Sequence, residues 1–387
     1  MKLIEKVSSS DASSVLKGDL TEDITEKDRK RFFHIVSNEL SDEQVAQVTT
    51  PAVILPRQQN IMALHWHPEF VPMNLISMRL EATFPNRKTE IVIPTQHNVL
   101  MSYGEYSGVE VDCYSSSFNR KVQLLLHFRN SNIADATVLR AALEHTRKYR
   151  ASQLFDFIHS IITPIEERIE KAAKETGADK QLINFVKTYT TKINKLLEEN
   201  IDTIPQDNVK NKLLRNFFNT LRKDYDNSYI NRVQAFLNAV KVEVKKNFCP
   251  KFFYRTSEII EEARSLGAGV VIPHPEQFWP ILLADYDVDG YEVWNPQSRE
   301  FTEFLISTLI NKNKQMLSSA RRLLLFMGDD THMGEKVKPP EEQDEQKAAR
   351  EIGVQAGWDD LSIRKKLIVV NMDKYNVIEE YKERLDD

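Results

Sequence analysis

The stretch "LLLFMGDDTH", Leu323 to His332, decides how the rest of the chain is read. Leu323 to Met327 has the length and apolar content of a strand buried on both faces. Gly328 ends it, and Asp329, Asp330 and His332 follow at once. Alone, Asp after Gly is common turn chemistry, and a single His is more often a satisfied surface residue than a ligand. What matters is whether other strands end the same way.

They do. "MALHWH" ends on His65 and His67, "IVIPTQH" on His97, "QLLLH" on His127 and "VVIPHP" on His274, while "GVEVD" carries Glu110. Six of the nine histidines therefore fall at strand ends; His34, His145 and His159 fall on helical patterns. With "VDGYEVWNP" the strands number seven, several alternating with helices, which favours a parallel α/β arrangement. In a closed parallel barrel the C-terminal strand ends converge on one rim, where residues distant in sequence become neighbours. Imidazoles and carboxylates without thiolates suit Zn, Mn or Fe. There are more of them than one tetrahedral zinc uses, so the expectation is two or three divalent ions.

At 387 residues the chain is long enough to bury a sizeable core. Its 41% hydrophobic and 28% charged residues are ordinary for a soluble globular protein. A net charge of −5 gives no global basic field for nucleic acid or an anionic membrane. The opening "MKLIEKVSSSDASS" lacks the apolar core of a secretory signal, and no apolar run approaches a membrane span. Cys113 and Cys249 form no ligand pair. A cytoplasmic location is the expectation. "DYDVDG" at Asp285–Gly290 begins like a calcium loop, but Pro296 stands where the bidentate acid should be, so a turn is expected.

Between Ser131 and Phe248 the apolar period changes to three and four, as in Phe155, Ile158, Ile162, Ile165 and Ile169. Three to five helices are expected. The spacing Thr163-Pro164-Ile165-Glu166 suggests a capping box, and Gly177 a helix stop. Further helices are expected around Glu26 to Leu40, near Asp42 to Val48, and at Ser257 to Leu266 and Phe301 to Ala320, with a charged, mostly helical tail from Pro339.

The order H-x-H, T-x-H-N, G-V-E, a strand-end His, P-H-P, E-V-W-N and D-x-H resembles the polymerase and histidinol phosphatase (PHP) family, over about residues 52–130 and 248–338. The resemblance implies a distorted seven-stranded β/α, TIM-like barrel formed by 1–130 and 248–387, with 131–247 as a helical insertion. It implies His65, His67, Glu110 and Asp330 around a first metal, and Glu110 bridging to a second held by His127 and His274. His97 and His332 would belong to a third site. The sequence departs from the family in having Gln96 where an Asp is usual, and in offering only Glu69 soon after H-x-H.

The activity so implied is metal-dependent phosphoester hydrolysis, with Glu110, Asp330 and His332 as catalytic residues and a small phosphorylated compound as substrate. Arg79, Arg129 and Lys336 lie near ligands in sequence and are candidate phosphate contacts. Two alternatives stand beside this reading. One is an amidohydrolase-type metal hydrolase, although no predicted strand ends on the Lys that often bridges metals in that class. The other is a non-catalytic, metal-stabilised scaffold whose helical insertion binds a protein partner.

Overall fold

A four-residue turn, Ser116 to Asn119, sets the topology, because it joins two ten-residue strands too closely for a parallel crossover. Strands Tyr106–Ser115 and Arg120–Arg129 therefore pair antiparallel, from Tyr106 opposite Arg129 to Ser115 opposite Arg120. The computed structural model describes residues 20–317, 320–340 and 343–386. The N-terminal stretch searched for a secretory signal lies outside them. In chain order the strands are β1 (Asn60–Ala63), β2 (Trp66–His67), β3 (Thr89–Val92), β4 (Met101–Tyr103), β5 (Tyr106–Ser115), β6 (Arg120–Arg129), β7 (Gly269–Ile272), β8 (Gly290–Trp294), β9 (Leu324–Met327) and β10 (Thr331–His332).

The fold is mixed α/β. It differs from the expected seven-stranded parallel barrel in two ways. Six strands form one sheet in the order β4-β5-β6-β7-β8-β9, in which β4-β5, β5-β6 and β6-β7 are antiparallel. Two further sheets, β1-β3 and β10-β2, are separate two-stranded parallel pairs, so the ladders do not close. The ladders break where the chain turns. β1 stops before Leu64 and His65, and β9 stops at Gly328, two residues before Asp330 takes a left-handed φ of 48°. A few backbone hydrogen bonds still run beyond these ladders: Asp330 N to His65 O (2.8 Å), Thr95 N to Trp66 O (2.9 Å), and the pair Asn98 N to Glu110 O (2.7 Å) and Glu110 N to Gln96 O (3.2 Å).

The described residues divide into two compact units, one containing Glu39–Arg147 and the described residues from Pro250 on, the other those up to Asn38 and Lys148–Cys249. The strand-bearing unit packs Val109, Leu124, Val271, Tyr291 and Leu325 into one core, and Trp66, Ile76, Phe84 and Met333 into a second. Leu139 and Leu143 join the first of these, which places the residues just after Ser131 in this unit. The helical unit buries Phe157, Phe185, Phe217, Phe218 and Phe236. Phe32 and Val36, from helix Glu26–Val36, belong to that core, an assignment the sequence boundaries had missed.

Helix ends follow their local signals in most places. Thr25 and Ser41 each close a capping box, and Gly177 ends helix Glu166–Thr176 with φ 66°. The expected box at Thr163 is absent, because Ile165 occupies the N-cap position. Helices Met73–Thr83, Thr256–Ser265, Thr302–Gln315, Leu361–Val369 and Lys374–Asp386 also belong to the strand-bearing unit.

Candidate metal centre

Asp330 is the hub of the site. The left-handed backbone at this residue is unfavourable for a side chain with a Cβ and persists only where its surroundings fix it. It turns Oδ1 toward three imidazoles: His67 Nε2 at 3.3 Å, His332 Nε2 at 3.4 Å and His65 Nε2 at 3.6 Å. The other oxygen is held from behind. Oδ2 accepts from Arg350 Nη1 at 2.8 Å and from Gln297 Nε2, and the same arginine nitrogen reaches the Asp330 carbonyl at 2.9 Å.

Glu110 faces the cluster from β5. Its Oε2 approaches His97 Nδ1 and lies 3.7 Å from His67 Nε2, while Oε1 lies 3.7 Å from His274 Nε2. The β10-β2 register sets His332 opposite His67, and their rings stack at 4.3 Å; His97 stacks on His67 at 4.2 Å. His65 is oriented by Glu292, whose Oε1 is 2.9 Å from Nδ1, leaving Nε2 for the cluster. Glu292 also accepts from the His274 backbone N–H at 2.9 Å and from Asn295.

The electrostatics follow from burial and crowding. Burial acts to lower His65, but the Glu292, Asp330 and Glu110 carboxylates outweigh it and hold the imidazole up at about 10. Burial, with His97 and His332 alongside, pushes His67 down to about 3. Glu110 and Asp330 are held well below the usual carboxylate range by the surrounding imidazoles, although burial opposes this. His332 is raised against its burial by Asp330 and Glu69.

The donor set fits divalent ions. Both oxygens of Glu110, both ring nitrogens of His67 and Nδ1 of His274 are buried without a hydrogen-bond partner, an unusual cluster of unmet polar atoms. Three groups bring ligand atoms within 4.8 Å of one another: His65, His67 and Asp330; His65, Glu110 and His274; and His67, His97 and His332.

Seven of the eight expected metal-ligating residues thus come together, and His127 does not join these groups. Its Nε2 lies 3.0 Å from the Leu64 carbonyl and its Nδ1 2.7 Å from the Tyr381 hydroxyl, so both nitrogens are used. Burial pushes it down to about 4. Strand-end logic grouped it with the others, but β6 runs antiparallel to both β5 and β7, so His127 pairs with Gly269 at the start of β7, whereas His274 follows its end. Gly269 makes this arrangement possible, since a Cβ there would lie 2.3 Å from the Tyr381 hydroxyl.

None of the three expected phosphate contacts is arranged as one. Arg79 is buried on Glu351 and on the carbonyls of Val48 and Thr50. Lys336 is buried on Glu351 and the Ala348 carbonyl. Arg129 pairs with Asp386 and Glu105 and covers the Tyr106 ring. Nearness in sequence to a ligand was a poor guide: Arg79 and Lys336 sit on helices Met73–Thr83 and Met333–Lys336, and Arg129 ends β6 close to His127, which is itself outside the cluster.

The sequence reading left Glu292, Gln297 and Arg350 unassigned. Glu292 stood in the quoted "EVWN" stretch, and Arg350 lies in a charged segment with no distinguishing signal. Asp329, beside the hub, serves structure instead. It accepts from Gly353 N at 2.9 Å and Gln355 Nε2 at 3.2 Å, tying β9 to the C-terminal segment. Two of the "DYDVDG" acids are likewise structural. Asp289 is bound by Arg264, Arg384 and the Val270 amide, and Asp287 by Arg264.

No family profile matches the chain, and neither does any curated protein. A solved structure from Bifidobacterium adolescentis ATCC 15703, whose name proposes a metal-dependent phosphoesterase, is similar at 16% identity with a TM-score of 0.41. The match covers 81% of this chain and 97% of that one. The likeness is too distant to decide fold or activity. Among the described residues no helix is long and apolar enough to cross a membrane.

Proposed function

We propose that the chain is a metal-dependent phosphoesterase of PHP type, acting on a small phosphorylated compound with two or three divalent ions of the Zn, Mn or Fe kind. One observation carries this reading: imidazole nitrogens gathered around Asp330 and Glu110, with both Glu110 oxygens and His67 Nε2 buried and without a hydrogen-bond partner. His65, His67 and Asp330 would hold one ion, Glu110 and His274 a second, and His97 with His332, beside His67, a third. Such ions supply an activated water and neutralise charge on the transferring phosphoryl group.

The chain's own residues set up that chemistry. Glu110 presents one oxygen toward His67 and His97 and the other toward His274, as a bridging carboxylate must. Glu292 and Arg350 fix the orientation of His65 and Asp330, so little reorganisation is needed when substrate arrives. His97 is the most exposed of these imidazoles, with 36% of its side chain accessible, which favours approach from its side. Helices Lys180–Asn200 and Asn227–Lys246 belong to a unit with its own core, consistent with a separate role in substrate or partner choice.

A panel of phosphoesters and cyclic amides, assayed with Mn²⁺, Zn²⁺ or chelator, tests the proposal. Chelator-sensitive phosphoester hydrolysis supports it. Hydrolysis of amides alone would favour the amidohydrolase alternative, and bound metal without any turnover would favour the scaffold.

A further inference from the structure

Glu69 lies just past β2, on the far side of His332 from Asp330. Its Oε1 is 3.3 Å from His332 Nδ1, whereas His332 Nε2 is 3.4 Å from Asp330 Oδ1. The two ring nitrogens are therefore divided between an outer and an inner carboxylate. Three features of the chain converge on this placement. Glu69 holds a left-handed φ of 53°, a conformation that a residue with a Cβ keeps only where its surroundings fix it. Its backbone N–H donates to Gln96 Oε1 at 3.0 Å, fixing the turn. Gly334, two residues after His332, leaves the space its carboxylate fills: a Cβ at 334 would stand 2.0 Å from Glu69 Oε2.

We infer that Glu69 is a positioning residue that takes the Nδ1–H of His332 and turns its Nε2 lone pair inward, strengthening an ion held by His67, His97 and His332. A neutral imidazole has one lone pair to offer, and the nitrogen that carries it is fixed by the partner of the other. A carboxylate partner also raises the basicity of the ligating nitrogen. The group of His67, His97 and His332 has no carboxylate among its own ligands, so the outer charge of Glu69 matters most there. Gln96 acts through Glu69, by holding its backbone.

This inference rests on the metal reading above, and the experiment separates the two. The full-length protein, stripped by chelator, is titrated with Zn²⁺ against a chromophoric competitor, alongside Glu69→Ala, Glu69→Gln and Gly334→Ala. Glu69→Ala should weaken one ion about 10–100-fold and leave the others unchanged. Glu69→Gln, whose amide oxygen still accepts the N–H, should weaken the same ion less, and this near-isosteric variant guards against loss of folding. Gly334→Ala should mimic Glu69→Ala. A wild-type chain that binds no Zn²⁺ overturns the metal reading and this inference with it. Ion affinities in Glu69→Ala equal to wild type overturn the inference alone. So does a Glu69→Gln variant as weak as Glu69→Ala, which would make Glu69 a direct ligand.

Discussion

Replacing Gly328 with alanine should be far more damaging than its one added carbon suggests. Gly328 does not use the left-handed backbone, so alanine is conformationally acceptable there and the effect is steric. The new Cβ would stand 1.4 Å from Glu292 Oε1, 2.4 Å from its Cδ and 3.1 Å from His65 Nδ1. A glutamate carboxylate could normally swing aside. This one is 2% exposed and accepts from His65 Nδ1, His274 N and Asn295 Nδ2. Hydrogen bonds to a charged group contribute roughly 1.5–3 kcal/mol each. Losing most of three, with partial relaxation, should cost on the order of 4 kcal/mol. Chemical denaturation of chelator-treated protein measures this without a contribution from bound ions. In a Glu292→Ala background the same substitution should cost no more than about 1 kcal/mol, because the clash is gone. A single variant within about 0.5 kcal/mol of wild type, or an equal cost in both backgrounds, would refute the packing of Glu292 against Gly328.

Other expectations are more local. His127 is buried and pushed down to about 4 from its usual 6.5, so the unfolded chain binds a proton there that the folded chain does not. Stability should therefore fall as pH drops from about 6.5 toward 4, by about 3 kcal/mol from this group. His127→Gln should flatten that dependence in denaturation measured across the window, and an unchanged slope would contradict the assignment. Arg129→Ala, which removes exposed ion pairs, should shift stability by less than about 1 kcal/mol and leave KM for a phosphoester unchanged; a raised KM would restore it as a substrate contact. Arg79→Met should instead destabilise by roughly 3–5 kcal/mol by leaving Glu351 with Lys336 as the one basic side chain on it, and wild-type stability would show that the buried pair is dispensable.

The clustered residues were legible because each sits in or beside a strand whose apolar run marks it, and strand ends are where α/β folds collect chemistry. That logic found His65, His67, His97, His274, Asp330 and His332, with Glu110 inside β5. It failed at His127, since nothing in "QLLLH" tells which way its strand runs; the four-residue turn after β5 was the available signal. The groups that orient the ligands were invisible for a different reason. Glu292 sits against Gly328, Arg350 against Asp330 and Tyr381 against His127, at separations from 20 to more than 250 residues. No periodicity links such pairs; only the folded backbone does. The two-stranded breaks at β2 and β10 were equally hidden, because a run such as "NIMALHWH" reads as one strand although the chain turns at Leu64 and His65. Helix Glu26–Val36 was read correctly as a helix, yet its buried Phe32 could not reveal which unit it would join.

The central claim is that Asp330 and Glu110 organise a metal centre, and elemental analysis of the reconstituted chain tests it most directly. After chelation, Mn²⁺ or Zn²⁺ loading and desalting at neutral pH, wild type should retain about two or more ions per chain. Asp330→Asn and Glu110→Gln, each removing a ligating charge while keeping shape, should retain clearly fewer and lose chelator-sensitive phosphoester hydrolysis. A wild-type chain that retains no ions, or variants that retain as many as wild type, would contradict the account.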